Sequence, residues 1–243
     1  MLSRSTSTNP VVISYYTMRR MVGFVALILP FALAAGSILA ALLGPAHDFP
    51  HPLLQRSLSD YYYTPMRNLY VGSLCAIAAF LACARGYDLR DEITGYLAGA
   101  VTFGVACCPT FNPRGVNYTQ LDFAFGFIHT VLAALMYLLL SYICMFLFRK
   151  SSPEKPLTRR KRNRNRIYQT AGLIMIACMM AMTGLTIRSV VERRHPSPWL
   201  FWCESLALFA FGIAWLTKGE GSMRDRPRDQ LHAVPHRAPA KSS

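Results

Sequence analysis

The sequence contains a run of 26 residues, Phe123–Phe148, without a single charged side chain. An α-helix rises about 1.5 Å per residue, so about 20 apolar residues suffice to cross the roughly 30 Å hydrocarbon core of a bilayer. A run of this length predicts a membrane-spanning helix. It also restricts the rest of the chain to folds that lipid allows, because every backbone polar group inside the bilayer must find a partner within the protein.

Five further apolar segments are predicted to span the membrane. The chain is 53% hydrophobic and 16% charged, whereas an average globular protein has about 25% charged residues; its mean hydropathy is +0.26. This composition argues against an ordinary soluble enzyme. The predicted fold is an all-α transmembrane bundle of six helices, with spans at about 21–43, 65–84, 93–110, 123–148, 167–187 and 198–217.

These spans organise the chain as one transmembrane domain, residues 21–217, between a short N-terminal tail, 1–20, and a C-terminal tail, 218–243. The C-terminal tail is charged and lacks apolar periodicity, which predicts disorder. The second span is long enough only if it begins at Pro65. Proline suits the first helical position, where its missing N–H costs nothing, and Thr64 can cap from the preceding residue.

Basic residues are distributed unevenly between the two sides of the predicted bundle. If the six spans alternate in direction, 20 of the 26 Lys and Arg residues fall on the side that holds both termini. The positive-inside rule makes that side cytoplasmic and predicts a plasma membrane protein, most simply of a bacterial inner membrane. The other six lie on the outer side: Arg56, Arg67, Arg114, Arg188, Arg193 and Arg194.

A dense basic run directly precedes the fifth span. Such a position is typical of a topology determinant that lies on anionic headgroups, where each basic residue contributes about 1 kcal/mol. Recruitment of a nucleic acid, or of one specific lipid, is the alternative. The sequence favours the bilayer's anionic headgroups at the cytoplasmic face as the partner, and no nucleic acid. The predicted headgroup-binding residues are Arg159, Arg160, Lys161, Arg162, Arg164 and Arg166.

Two ionisable residues fall inside predicted spans, where such residues are functional candidates by default. His129 in the fourth span and Glu204 in the sixth lie about 10 Å and about 8 Å below the outer helix ends. A lone charge in hydrocarbon costs about 3 kcal/mol on insertion scales, so we expect the fourth and sixth helices to pack together. Asp122, two turns above His129, and Asp60, at the mouth of the second helix, would complete an outward-facing polar pocket.

Three functions remain open for these candidate residues. The first is a multi-pass integral membrane protein of undetermined molecular role, without enzymatic activity of its own. The second is a membrane-embedded lipid hydrolase, in which His129 acts as general base and Glu204 or Asp122 orients it. The third is a small proton-linked transporter that uses Glu204 and His129. Alternatively, each of these side chains has a separate structural role.

No cofactor and no metal are predicted. A zinc site needs three or more suitably placed protein ligands, and only one histidine falls inside a span. The seven cysteines lie within or at the ends of apolar segments and are interpreted as packing residues.

Small residues four apart indicate close helix contacts in lipid. These contacts can form within the chain or between copies, so a homo-oligomer is possible. The residues are Gly36, Ala40 and Gly44 in the first span, and Gly95 and Gly99 in the third.

Several short segments have a recognisable pattern: Ser57–Thr64 (SLSDYYYT), Met66–Asn68 (MRN), Arg85–Asp88 (RGYD) and Gly212–Gly219 (GIAWLTKG). Cys108–Thr110, followed by His129 in the next span, fits the same pattern. Together they resemble a group of uncharacterised bacterial six-helix integral membrane proteins. The resemblance covers about residues 50–220 and implies the same six-helix fold.

A more distant similarity is to the membrane hydrolase superfamily of alkaline ceramidases and progestin/adipoQ receptors. Members of that superfamily have seven helices and a zinc ion held by several histidines near a serine and an aspartate. This chain offers Ser59, Asp60 and His129. It departs from the pattern because it lacks the seventh helix and the paired histidines.

Overall fold

A computed structural model describes residues 10–43, 54–84, 88–112, 119–150, 159–192 and 197–218. Within these ranges the chain is all-helical, with six α-helices and no strand, which confirms the all-α, six-helix part of the predicted fold. The helices are α1 (Pro10–Leu43), α2 (Arg67–Cys83), α3 (Leu89–Cys107), α4 (Gln120–Tyr142), α5 (Arg159–Val191) and α6 (Trp199–Lys218).

Four of these helices contain stretches long and apolar enough to cross a membrane: Arg20–Leu43, Gln120–Leu147, Arg159–Ser189 and Trp199–Lys218. Helix α2 is apolar but shorter. Large apolar side chains, including Phe31, Phe123 and Ile187, are exposed on the outside of the bundle. An apolar exterior of this kind suits lipid rather than water. The spans predicted at α2 and α3 stay predictions.

The helices form a closed ring in chain order. Each helix packs against the next, and α6 closes the ring against α1. Helices α4 and α6 lie on either side of α5, and they make few contacts with each other. The expectation that the fourth and sixth helices pack directly together is therefore wrong.

Glycines allow a close approach between helices α2 and α3. A Cβ atom at Gly99 would lie 2.7 Å from the backbone oxygen of Ala78, and one at Gly95 would lie 3.0 Å from that of Leu81. The predicted small-residue face of α3 thus serves a contact within the chain. Gly44, in the corresponding face of the first span, lies outside the described residues.

Several helix boundaries differ from the sequence predictions. Helix α1 begins at Pro10, so residues 10–20 of the expected tail are helical, and α5 begins at Arg159, so the whole basic run is helical. Helix α3 begins at Leu89 because the Asp88 carboxylate accepts the backbone N–H of Asp91 at 3.0 Å. Helix α4 continues as one π-helical turn, Ile143–Leu147. The remaining tail residues, 1–9 and 219–243, lie outside the described residues.

Helix α2 begins at Arg67, two residues later than predicted. The Thr64 hydroxyl donates to the Tyr61 carbonyl at 2.8 Å and accepts the backbone N–H of Met66 at 3.2 Å. Thr64 therefore stabilises the turn that precedes the helix, instead of capping a helix that starts at Pro65.

At one end of the bundle, Lys150 and Lys218 make polar contacts that join neighbouring helices; these contacts are called the Lys150 latch below. The Lys150 ammonium, just after α4, lies 2.9 Å from the Asp88 carboxylate and also pairs with Asp91. This ammonium holds the pKa of Asp88 below its usual range. Lys218, at the end of α6, donates to the Phe148 carbonyl at 3.0 Å. The latch thus lies where α4 and α6 end and α3 begins.

Two of the seven cysteines do not fit their interpretation as packing residues. Cys144 and Cys178 are buried, but Cys83 and Cys107 are exposed on the helix surface. All seven are free thiols.

Candidate functional site

A short segment before α2 folds into the opposite end of the bundle, where α2, α4 and α6 begin. It comprises residues 54–66 and contains one turn of 3₁₀ helix, Ser59–Tyr63. Tyr61 is fully buried and packs against Phe201 of α6, with ring centroids 6.4 Å apart. The hydroxyl of Tyr63 donates to the Thr110 carbonyl, beyond the end of α3, at 2.6 Å. The 54–66 segment is therefore part of the core.

Burial of this segment requires partners for its polar groups. Ser57, Ser59 and Asp60 are each more than 90% buried. A buried hydroxyl or N–H that lacks a hydrogen bond costs about 1–3 kcal/mol. The partners of Ser57 and Ser59 come from distant helices, and they are the two ionisable residues singled out in the sequence.

Glu204 binds the start of the 3₁₀ turn. The Ser57 hydroxyl lies 3.0 Å from both carboxylate oxygens of Glu204, and the backbone N–H of Leu58 donates to one of them. A carboxylate at this position satisfies backbone and side-chain donors at the N-terminal end of a helical turn, as an N-cap does.

The contact between the segment and α6 is reciprocal. The carbonyl oxygen of Arg56 accepts the backbone N–H of Phe201 at 2.7 Å. Phe201 lies in the first turn of α6, where backbone N–H groups have no partner within the helix. The segment thus caps α6, and Glu204 of α6 caps the segment.

His129 binds the segment from α4. Its Nε2 lies 3.0 Å from the Ser59 Oγ, and its Nδ1 lies 2.7 Å from the carbonyl oxygen of Cys108. A carbonyl can only accept, so Nδ1 carries a proton and donates it to Cys108. In the neutral ring Nε2 is then an acceptor, and the Ser59 hydroxyl donates to it. His129 is itself 3% exposed.

Ser59 is the centre of the network. Its Oγ also accepts from the Tyr70 hydroxyl of α2 at 3.3 Å, and its backbone N–H donates to the Ser57 Oγ at 3.0 Å. His129 and Glu204 are therefore linked through the segment: His129 binds the Ser59 side chain, and the Ser59 backbone N–H binds Ser57, whose hydroxyl donates to Glu204. The two ionisable residues share one site, but the 54–66 segment connects them.

A cavity of about 30 Å³ adjoins the network, with room for a water molecule or two. Ser59, Tyr70 and Glu204 contribute to its wall. The rest of the wall is largely apolar and comes from α1, α2, α3, α4 and α6, for example Leu29, Leu74, Val105, Met136 and Leu208.

The two predicted aspartates have different positions. Asp60 lies in the segment, and its burial raises its pKa to about 6, against the opposing effects of the Arg56 charge and the Ser57 backbone N–H. Asp122 does not reach His129. Its carboxylate accepts the Thr119 hydroxyl at 2.7 Å and the Thr119 backbone N–H at 3.0 Å, in an exposed capping box at the start of α4. The orienting role that Asp122 was expected to have is taken by the Cys108 carbonyl.

The sequence contains a signal for the residues that the pocket prediction missed. Ser57 and Ser59 were absent from that pocket, as were Tyr70 and the backbone oxygen of Cys108. The stretch Ser57–Asp60 places three polar side chains beside a tyrosine cluster in a chain that is otherwise strongly apolar. Their pairing depends on residues 70 and 147 positions away, which no local pattern specifies.

Within the described ranges, no group of three or more His, Cys, Asp or Glu side chains is arranged to hold a metal ion. His129 and Glu204 bind different atoms of the segment and do not converge on one point. The hydrogen-bonding groups of the site are one imidazole, two serine hydroxyls, one tyrosine hydroxyl and one carboxylate.

The chain matches no family model, no curated protein and no solved structure. The function therefore has to be argued from the site itself.

Proposed function

We propose that this protein is a multi-pass integral membrane protein with six spans and both termini in the cytoplasm, and that it carries a polar site at its outer face. The observation that carries this proposal is the position of the buried Ser59–His129 and Ser57–Glu204 pairs. They lie at the end of the bundle opposite the helical basic run at the start of α5.

The charge distribution supports this orientation. The basic run and the Lys150 latch share one end of the bundle, and the positive-inside rule makes such an end cytoplasmic. The helix ring supports six spans, because α2 and α3 complete the ring between α1 and α4. The same rule favours a plasma membrane, most simply a bacterial inner membrane. We also propose that the chain is a member of the uncharacterised six-helix group that it resembles.

The first turns of α5 are proposed to lie on anionic headgroups at the cytoplasmic face. The basic run is helical and continuous with the apolar part of α5, and Arg159, Arg162 and Arg166 are exposed. A helix of this kind holds its charges at headgroup depth while the apolar part lies in hydrocarbon.

Reporter insertions into the full chain test the orientation. Alkaline phosphatase, which is active only outside the cytoplasm, is inserted after Lys150 in one version and after Glu192 in the other. The proposal predicts activity only for the insertion after Glu192. Activity only after Lys150 would reverse the orientation, and activity at both positions would contradict the six-span arrangement.

A second candidate function, hydrolysis of a membrane lipid, is favoured by one specific observation. The Ser59 hydroxyl lies at hydrogen-bonding distance from an imidazole whose other nitrogen is held by a backbone carbonyl. This is the arrangement by which a histidine activates a serine nucleophile.

A further inference from the structure

We propose that Ser59 is a nucleophile activated by His129, and that the site hydrolyses a carboxylic ester with an apolar acyl chain. This inference rests on the second candidate function and names its nucleophile, base and substrate class. It uses residues of the 54–66 segment and of α4 that the structure brings together from 70 positions apart.

The distance between the two groups suits proton transfer. Nucleophile and base need a heavy-atom separation of about 2.6–3.2 Å, and Ser59 Oγ lies 3.0 Å from His129 Nε2. In a Ser-His-Asp triad a carboxylate binds the second ring nitrogen and fixes the tautomer. Here the Cys108 carbonyl does so at 2.7 Å, which leaves Nε2 free to accept the serine proton.

The hydrogen bond between Tyr70 and the Ser59 Oγ leaves the Ser59 hydroxyl hydrogen for His129. A hydroxyl has one hydrogen and can accept two others. Because Tyr70 can donate its own hydrogen to the Ser59 Oγ, the Ser59 hydrogen is free to point at His129. Tyr70 and His129 are each more than 95% buried, so bulk water does not compete strongly for these positions.

The cavity indicates the substrate class. Its wall is mostly apolar and it reaches Ser59, which suits an acyl chain better than a sugar or a phosphate. Its volume of about 30 Å³ holds water but no chain. An acyl chain therefore enters by displacing side chains along the apolar wall, and the existing space suits the water that completes hydrolysis.

The reaction balances without any further reagent. Ser59 Oγ attacks the ester carbonyl carbon and its proton passes to His129 Nε2. The ester C–O bond then breaks, the alcohol leaves with that proton, and an acyl group remains on Ser59. A water molecule attacks the acyl group and gives a proton to His129. The carboxylic acid is released as this proton returns to Ser59 Oγ.

A labelling experiment separates this role from a purely structural one. The full chain in detergent micelles is treated with an alkyl fluorophosphonate, in which a serine oxygen displaces fluoride from phosphorus with release of HF. Modified peptides are identified by mass spectrometry, and hydrolysis of p-nitrophenyl butyrate and laurate is followed in parallel. A thermal unfolding curve is recorded for every variant.

We expect one phosphonyl group per chain, on Ser59, and release of p-nitrophenol. Both are expected to disappear in Ser59→Ala. In His129→Gln the labelling rate should fall about 100-fold or more, since general base catalysis contributes about 10²–10⁴-fold. Ser141→Ala is the matched control: Ser141 is a buried serine of α4 that donates to the Tyr137 carbonyl, and its loss should change neither readout.

Folded wild-type protein that is not labelled at Ser59 and releases no p-nitrophenol would overturn the proposal. So would Ser59 labelling that is as fast in folded His129→Gln as in the wild type. If His129→Gln does not fold, the wild-type result still decides, together with Ser59→Cys, which should lose fluorophosphonate labelling while it keeps the fold. Labelling in micelles does not depend on membrane orientation, so its failure is distinguishable from that of the reporter test.

Discussion

Removal of the Glu204 carboxylate should detach the 54–66 segment from α6. In Glu204→Ala the Ser57 hydroxyl and the Leu58 N–H both lose their acceptor. Each buried donor left unpaired costs about 1–3 kcal/mol, and water that enters the gap recovers part of this. We therefore expect a loss of about 2–4 kcal/mol in the free energy of unfolding. For a chain of this size that corresponds to a fall of roughly 4–16 °C in the unfolding temperature.

The chain provides both the assay and the control. Cys144 and Cys178 are buried whereas Cys83 and Cys107 are exposed. Once the exposed thiols of the folded protein have been blocked with an unlabelled reagent, a thiol-reactive fluorescent dye reports the exposure of the buried ones as the protein unfolds in detergent. Glu192→Ala is the control, because the Glu192 carboxylate pairs with Arg188 one turn away at the exposed end of α5. Such a surface pair contributes about 0.3–0.5 kcal/mol. If Glu204→Ala and Glu192→Ala unfold at the same temperature, the clamping role of Glu204 is refuted.

Three further results are expected. Gly99→Ala should destabilise the protein by about 1–3 kcal/mol, because the new Cβ would lie 2.7 Å from a backbone oxygen of α2. In the same thermal assay Gly72→Ala should be neutral or slightly stabilising, because a Cβ at Gly72 would have no atom within 4 Å. Folding raises the Asp60 pKa from 3.8 to about 6, so the folded state binds the proton more tightly. Stability should therefore fall by up to about 3 kcal/mol as the pH rises from about 4 to about 6. The Asp60→Asn protein should not show this loss of stability. If its stability depends on pH as that of the wild type does, the assignment of the effect to Asp60 is contradicted. Replacement of residues 159–162 by Gln should weaken the binding of anionic lipid by the full chain in neutral detergent micelles, as should added salt; salt-insensitive binding of the anionic lipid would exclude the headgroup proposal.

The helices could be predicted because their signal is local and long. The predicted spans 123–148 and 198–217 are recognisable from length and hydrophobicity alone, and the helices found there begin within three residues of the predicted starts. Helix α5 extends further, since the basic run favours a helix as readily as the apolar part does. The capping pattern at Thr119 and Asp122 was also readable, and it would have assigned Asp122 to the start of α4.

The site could be predicted only in part. His129 and Glu204 stand out because ionisable residues in apolar spans need partners. The sequence does not show that those partners come from a loop, because a polar segment is normally expected at the surface. Only the tertiary fold places Ser57 and Ser59 where the ionisable side chains satisfy them.

The imidazole of His129 provides the most direct test of this account. The full chain is labelled with ¹⁵N-histidine and studied by NMR in micelles, and the His129 signals are assigned by their loss in His129→Gln. The structure predicts a proton on Nδ1, an unprotonated Nε2, and a change in the Nε2 signal when Ser59 is replaced by Ala. A ring protonated on Nε2, or an Nε2 signal that does not respond to Ser59→Ala, would contradict both the buried position of the 54–66 segment and the chemistry proposed for it.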